Sequence, residues 1–170
     1  MNDRDSVVVR LAASEDAESV VTVLRRSITE LCVADHRNLP GVLGPWLDNK
    51  TAANVRAWIE STRNFMVVAE GDAGVCGVAS MSTSGGILLC YVLPQVQSTG
   101  VGRALLATLE EEARRQGLRE LSLESTVAAR GFYVRHGYRP RGNGPPDSSL
   151  LCKVLVSSAR ASVAEAGTDR

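Results

Sequence analysis

Residues 88–117 read LLCYVLPQVQSTGVGRALLATLEEEARRQG, and from this stretch the rest of the chain can be placed. LLCYVLP is a short apolar run closed by a proline, a strand followed by a break. Further on, Leu105, Leu109 and Ala113 recur at helical spacing, and Glu110 with Arg114 and Glu111 with Arg115 form i,i+4 pairs. Gly117 stands where that helix should stop. Between strand and helix a glycine-containing turn meets a helix N-terminus, where unpaired N–H groups and the dipole attract an anion. Gly102 falls in the first helical turn, where Gly costs ~1 kcal/mol relative to Ala; close approach of a ligand to the backbone would compensate. Taken alone, GVG is equally a plain tight turn.

Two nucleotide motifs fail on detail. A dinucleotide fingerprint needs a third glycine where this chain has Leu105, and the lysine-bearing phosphate loop GxxxxGK is absent. Working outward, residues 121–125 read as a strand, residues 127–136 as a short helix, and residues 150–156 as a last strand after the Gly/Pro-rich turn at 142–146. Upstream, residues 65–70, 75–81 and 87–93 are strands joined by turns at 71–74 and 82–86. Residues 34–50 carry two prolines and two glycines and suggest a loop with a short turn; Thr51 then caps a helix with Val55, Trp58 and Ile59 inward, ending near Asn64. At the start, residues 7–11 form a strand, Ser14 is an N-cap, and Ala17, Val20, Val21, Leu24, Ile28 and Leu31 trace the apolar stripe of a helix.

The fold class is therefore mixed α/β, in one domain over residues 1–156. Residues 157–170 have almost no large apolar side chain and are expected to form a mobile tail. At 170 residues and 44% hydrophobic content the chain can bury a substantial core. Its 19 basic residues are balanced by 19 acidic ones, which disfavours nucleic acid or an anionic bilayer as partner and suits a small or neutral one. Cys32, Cys76, Cys90 and Cys152 are far apart with no CxxC pair, so neither zinc nor a disulfide framework is expected. No signal-peptide apolar region opens the sequence and no stretch nears ~20 apolar residues; a cytoplasmic protein without a membrane span is expected.

Two motifs in register then carry a resemblance. Gln97 to Gly102 fit QxxGxG, and Ala129, Phe132, Tyr133, Gly137 and Tyr138 fit AxxFYxxxGF/Y one helix and one strand downstream. Together they resemble the GCN5-related N-acetyltransferase (GNAT) superfamily, clearly over residues 87–140. The resemblance implies one mixed, mostly antiparallel sheet, splayed at its centre, with helices on both faces. It implies acetyl-CoA as co-substrate without a metal, its pyrophosphate held by backbone N–H groups of Ser98, Thr99, Gly100, Val101, Gly102 and Arg103, with Gln97 alongside. Pantetheine would enter the gap beside the Val92 main chain, and Phe132 and Arg135 belong to the same side, Arg135 as a cation near the phosphates. The family often has Asn where this chain has Thr126, whose hydroxyl still offers one hydrogen bond.

Acyl transfer from a thioester needs a neutral nucleophile, an oxyanion donor and a proton for the thiolate. By resemblance, Tyr133 is the acid and the Val92 N–H the oxyanion donor. His36, in the loop bordering the family's acceptor pocket, is a candidate base with an imidazole suited to proton removal, and Glu124 an alternative through water. Tyr91 and Trp46 could line the acceptor side, and His136 reads as a helix-end residue without chemistry. The expected activity is acetyl transfer to a primary amine of a small molecule or peptide. A non-catalytic acyl-CoA-binding module and acylation of aminoacyl-tRNA stand as alternatives, and a homodimer is left open.

Overall fold

Residues 64–82 supply two strands whose central side chains are buried on both faces, and this determines how the layers stack. In the computed structural model, which describes residues 7–156, β1 (Val8–Leu11), β2 (Asn64–Gly71), β3 (Gly74–Ser82) and β4 (Ile87–Val92) form an antiparallel sheet in the order β1-β2-β3-β4. The tail expected at 157–170 lies outside the described residues. Successive residues of a strand point to opposite faces. Met66 and Val68 accordingly meet Val20, Leu24 and Val55 of the helices α1 (Ala17–Leu31) and α4 (Ala52–Glu60). Val67 and Ala69 meet Leu105, Leu106 and Leu109 of the helix α5 (Val101–Arg115) on the other face. Burying one such side chain contributes roughly 1.5–3 kcal/mol, so Val101, Leu105, Leu106 and Leu109 outweigh several times over the ~1 kcal/mol that Gly102 costs the first turn.

A second antiparallel sheet, β5 (Glu120–Glu124), β6 (Arg139–Pro140) and β7 (Leu150–Val154), has the order β5-β7-β6. One parallel bridge, Gly86 to Ser122, joins it to the chain just before β4, with the Ser122 N–H donating to Gly85 O at 2.9 Å. The single sheet expected from the sequence is thus two ladders that touch at one end, and its opening falls between β4 and β5. Among the described residues no helix is long and apolar enough to cross a membrane.

Several local expectations are corrected. Residues 34–50 are not loop: they form α2 (Val33–His36) and α3 (Pro40–Asp48). Pro40 sits in the first turn, where no N–H is needed, so Pro45 alone removes a helical hydrogen bond. The last carbonyls of α3 are satisfied from outside, Leu47 O by Arg25 Nη1 at 3.0 Å and Trp46 O by Lys50 Nζ at 3.2 Å. Ser14 is not the cap, because the chain enters a 3₁₀ turn at Ser14–Asp16; the Ala13 N–H donates to Asp16 Oδ2 at 2.8 Å instead. On α5, Arg115 pairs with Glu112 at 2.6 Å rather than with Glu111. The helix ends as Gly117 allows, at φ +75°, with the Leu118 N–H on Ala113 O and the Gly117 N–H on Arg114 O.

Candidate active site

After β4, Leu93 and the 3₁₀ turn Pro94–Val96 redirect the chain, Gln97 is extended, and Ser98 and Gly100 take the left-handed region at φ +62° and +101°. A non-glycine residue held there is strained by about 1 kcal/mol or more, a cost typical of ligand loops. Thr99 Oγ1 donates to Val96 O at 2.7 Å. The first N–H to bond back into α5 is that of Ala104, onto Gly100 O at 3.0 Å. The N–H groups of Val101, Gly102 and Arg103 precede the ladder and project from the positive end of the helix dipole. The atoms nearest a Cβ on Gly102 would be the Phe132 ring at 3.4 and 3.5 Å and Val92 Cγ1 at 3.9 Å, which brings the turn, α6 (Val127–Arg135) and the end of β4 together.

That turn opens into a cleft of about 530 Å³ running through the gap between β4 and β5. Gln97, Ser98, Gly100, Gly102 and Arg103 line its mouth; Val92, Thr126, Phe132, Tyr133 and Arg135 line its length, with Tyr91 on the side of α1. The Val101 side chain is in the core, and neither Val101 nor Thr99 lines the cleft. The Leu93 N–H donates to Cys76 O at 2.8 Å, towards β3; strand alternation therefore turns the Val92 N–H the other way, into the gap.

Tyr133 is 6% exposed and wedged edge-on between Phe132 and Tyr138, at ring-centroid distances of 5.2 and 5.7 Å. Its phenol reaches the Cys90 thiol, and burial, then Cys90 and Tyr91, hold it well above the usual tyrosine range. Burial likewise pushes the Cys90 thiol up to about 12 and the Tyr91 phenol up to about 12. All three groups stay protonated at neutral pH. Thr126 caps α6 by accepting the Ala129 N–H at 3.1 Å, which occupies its oxygen as acceptor and leaves its O–H free to donate. Asp35 of α2 reinforces the same helix end, accepting from Val127 N at 2.6 Å and Ala128 N at 3.1 Å.

The candidate base His36 is not in the cleft. It is 0% exposed, its Nε2 lies 3.0 Å from Ile28 O and its Nδ1 accepts the Asn38 N–H at 3.0 Å. With both nitrogens engaged by backbone, its imidazole organises the α2–α3 turn, where Arg37 and Asn38 have positive φ, and has no position free for a proton from an acceptor. Trp46 packs against His36 at 6.3 Å rather than lining the cleft. Glu124 does line it, as do Ser27, Leu31 and Cys32 of the α1 end. His136 closes α6, its Nδ1 2.8 Å from Phe132 O, and also borders the cleft. Cys90 was legible only as an apolar strand position; its place two residues before Val92 is the signal that sets it beside the gap.

A family model described as an acetyltransferase (GNAT) domain matches residues 46–146. An IAA acetyltransferase of Azospirillum brasilense is 37% identical over 86 residues, 45% of this chain and 56% of that protein, so the chain spans little more than half the length of that curated relative. Among solved structures, a GCN5-related N-acetyltransferase from Rhodopseudomonas palustris superposes with a TM-score of 0.77 at 22% identity, covering 91% of this chain and 100% of that one. An N-acetyltransferase from Thermoplasma acidophilum in complex with coenzyme A gives 0.73 at 17% identity, over 88% and 99% of the two chains. These two structural likenesses are likenesses of fold.

Proposed function

We propose, on the premise that the chain belongs to the GNAT acetyltransferase family, that it transfers an acetyl group from acetyl-CoA to a primary amine of a small molecule or peptide by direct attack on the thioester. What carries this reading is one observation: Gly102 and Arg103, whose N–H groups precede the α5 ladder, line a single cleft together with Val92 and Tyr133. A diphosphate fits the first, since a helix N-terminus with a side-chain-free Gly102 admits close anion approach. A thioester carbonyl fits the second, whose hydrogen bond strengthens as negative charge develops on oxygen. The departing thiolate fits the third, because Tyr133 retains its proton at neutral pH.

In this mechanism the amine nitrogen forms a bond to the acetyl carbon, the carbon–sulfur bond breaks, and the sulfur takes the proton of Tyr133. Glu124, the carboxylate on the cleft wall, accepts the proton that the amine loses, directly or through one water. A positioned acid of this kind contributes about 10²–10⁴-fold, roughly 3–5 kcal/mol. The test is release of free thiol from acetyl-CoA in the presence of a broad amine panel. Thiol release that depends on an amine supports the proposal, and none across the panel refutes it.

A further inference from the structure

Beside the cleft, on the face of the sheet that carries α1 and α4, lies a second pocket of about 220 Å³ that the mechanism above does not use. Lys50, Trp58, Asn64, Met66, Ser80 and Leu89 frame it. Met66, Ser80 and Leu89 are cross-strand neighbours on β2, β3 and β4, so their side chains share one face.

Two of these groups lack what burial normally demands. Ser80 is 1% exposed, and among the described residues its Oγ has no hydrogen-bond partner. Lys50 is 8% exposed and no carboxylate pairs with it among the described residues. Its ammonium donates to Trp46 O and Asn49 Oδ1 and stands 5.9 Å from the Trp58 ring centroid, so at least one of its three N–H bonds is uncommitted. A buried cation and a buried hydroxyl, both short of partners, are complementary to one small anion. One cation and one hydroxyl match a carboxylate, which carries a single charge, better than a phosphate dianion. Trp58, Met66 and Leu89 provide an apolar wall for the carbon chain next to it.

Leu88 and Leu89 line this pocket and the cleft alike, which makes the two spaces neighbours along β4. From Leu89, opposite Ser80, to Val92 the strand advances about 10 Å, at ~3.3 Å per residue. We infer that the Lys50–Ser80 pocket seats the carboxylate of the acyl acceptor, an elongated amino carboxylate whose amine reaches Val92 along Leu89. This rests on the acetyltransferase reading for the amine end and on the pocket alone for the carboxylate end.

The experiment pairs 7-aminoheptanoate with heptylamine as acceptors, and separately titrates heptanoate onto the intact chain without acetyl-CoA, following tryptophan fluorescence. The expected result is a KM at least about tenfold lower for 7-aminoheptanoate with similar kcat. Ser80→Ala and Lys50→Met should each abolish that preference while heptylamine turnover is unchanged, and Lys50→Arg should restore part of it. Ser80→Ala deletes only an unpartnered hydroxyl, so it keeps the test interpretable if Lys50→Met unfolds. Equal KM values with no heptanoate binding overturn the inference and leave acetyl transfer standing. Heptanoate binding that Ser80→Ala weakens, without any acceptor preference, marks a site for a free carboxylate and overturns the acceptor assignment. If no amine is acetylated, the acetyltransferase reading fails, and with it the acceptor role; heptanoate binding sensitive to Ser80 and Lys50 would still uphold the carboxylate pocket.

Discussion

Tyr133 combines burial with neighbours that disfavour its anion, and both effects act in one direction. An acid whose folded pKa is raised keeps its proton to higher pH, so any alkaline limb in kcat due to this phenol lies above pH 10. Its contribution to stability has the matching sign. Above pH 10 the unfolded phenol ionises first, and stability falls as pH rises. Tyr133→Phe is expected to lower kcat by about 10²–10⁴-fold while the Kd for coenzyme A, measured by calorimetry, stays within about twofold. Gly102 is a second point where protein and ligand demands separate. The fold leaves room for a Cβ there, with the Phe132 ring in ordinary contact at 3.4 Å. Gly102→Ala should therefore hold or raise Tm, since Ala is favoured in a helix by ~1 kcal/mol, and weaken coenzyme A binding tenfold or more. Unchanged affinity would remove the backbone of this turn from the phosphate site.

At the scale of elements, the join between β1 and α1 depends on Asp16, which accepts from Nη1 and Nη2 of Arg10 at 2.8 and 2.9 Å and also from the Ala13 N–H. The Arg10 hydrogen bond holds the Asp16 carboxyl below its usual 3.8. A depressed carboxyl stabilises the fold fully above its unfolded pKa, and the gain is lost as pH falls from about 4 through the native value. Asp16→Asn should lower the unfolding free energy by roughly 2–3 kcal/mol at pH 7 in urea titration and flatten the acid side of the stability curve. Elements whose partners are local in sequence were legible: α1 and α5 from their stripes, β2 to β4 from apolar runs between turns, and the turn before α5, which with Phe132 and Tyr133 lines one cleft, from two motifs. Much of what escaped depends on partners outside the element concerned. The Pro- and Gly-rich α3 ends on Arg25, 22 residues away from Leu47, and α6 begins on Asp35, 92 residues from Val127. His36 has the sequence surroundings of a loop residue, and only tertiary closure shows that Ile28 and Asn38 occupy its ring. The two-residue β6 is too short for periodicity to register.

For the whole molecule, the narrow link between the two sheets is the point of greatest leverage. Gly85 sits beside it at φ +91°, and a Cβ there would stand 2.7 Å from Glu120 O. Gly85→Ala combines a disfavoured backbone with a backbone clash. It is expected to lower Tm by roughly 5–10 °C, corresponding to a loss of about 2–3 kcal/mol, and to melt both sheets in one transition by circular dichroism. Beyond that link, β4 and β5 part and leave facing strand flanks without a strand neighbour among the described residues. Such flanks are templates for intermolecular pairing, and nothing in β4, which reads ILLCYV, bears a charge to repel another copy. A bound co-substrate filling the gap would therefore double as a chaperone of its own enzyme: light scattering during prolonged warming should rise in its absence and be suppressed when coenzyme A is supplied.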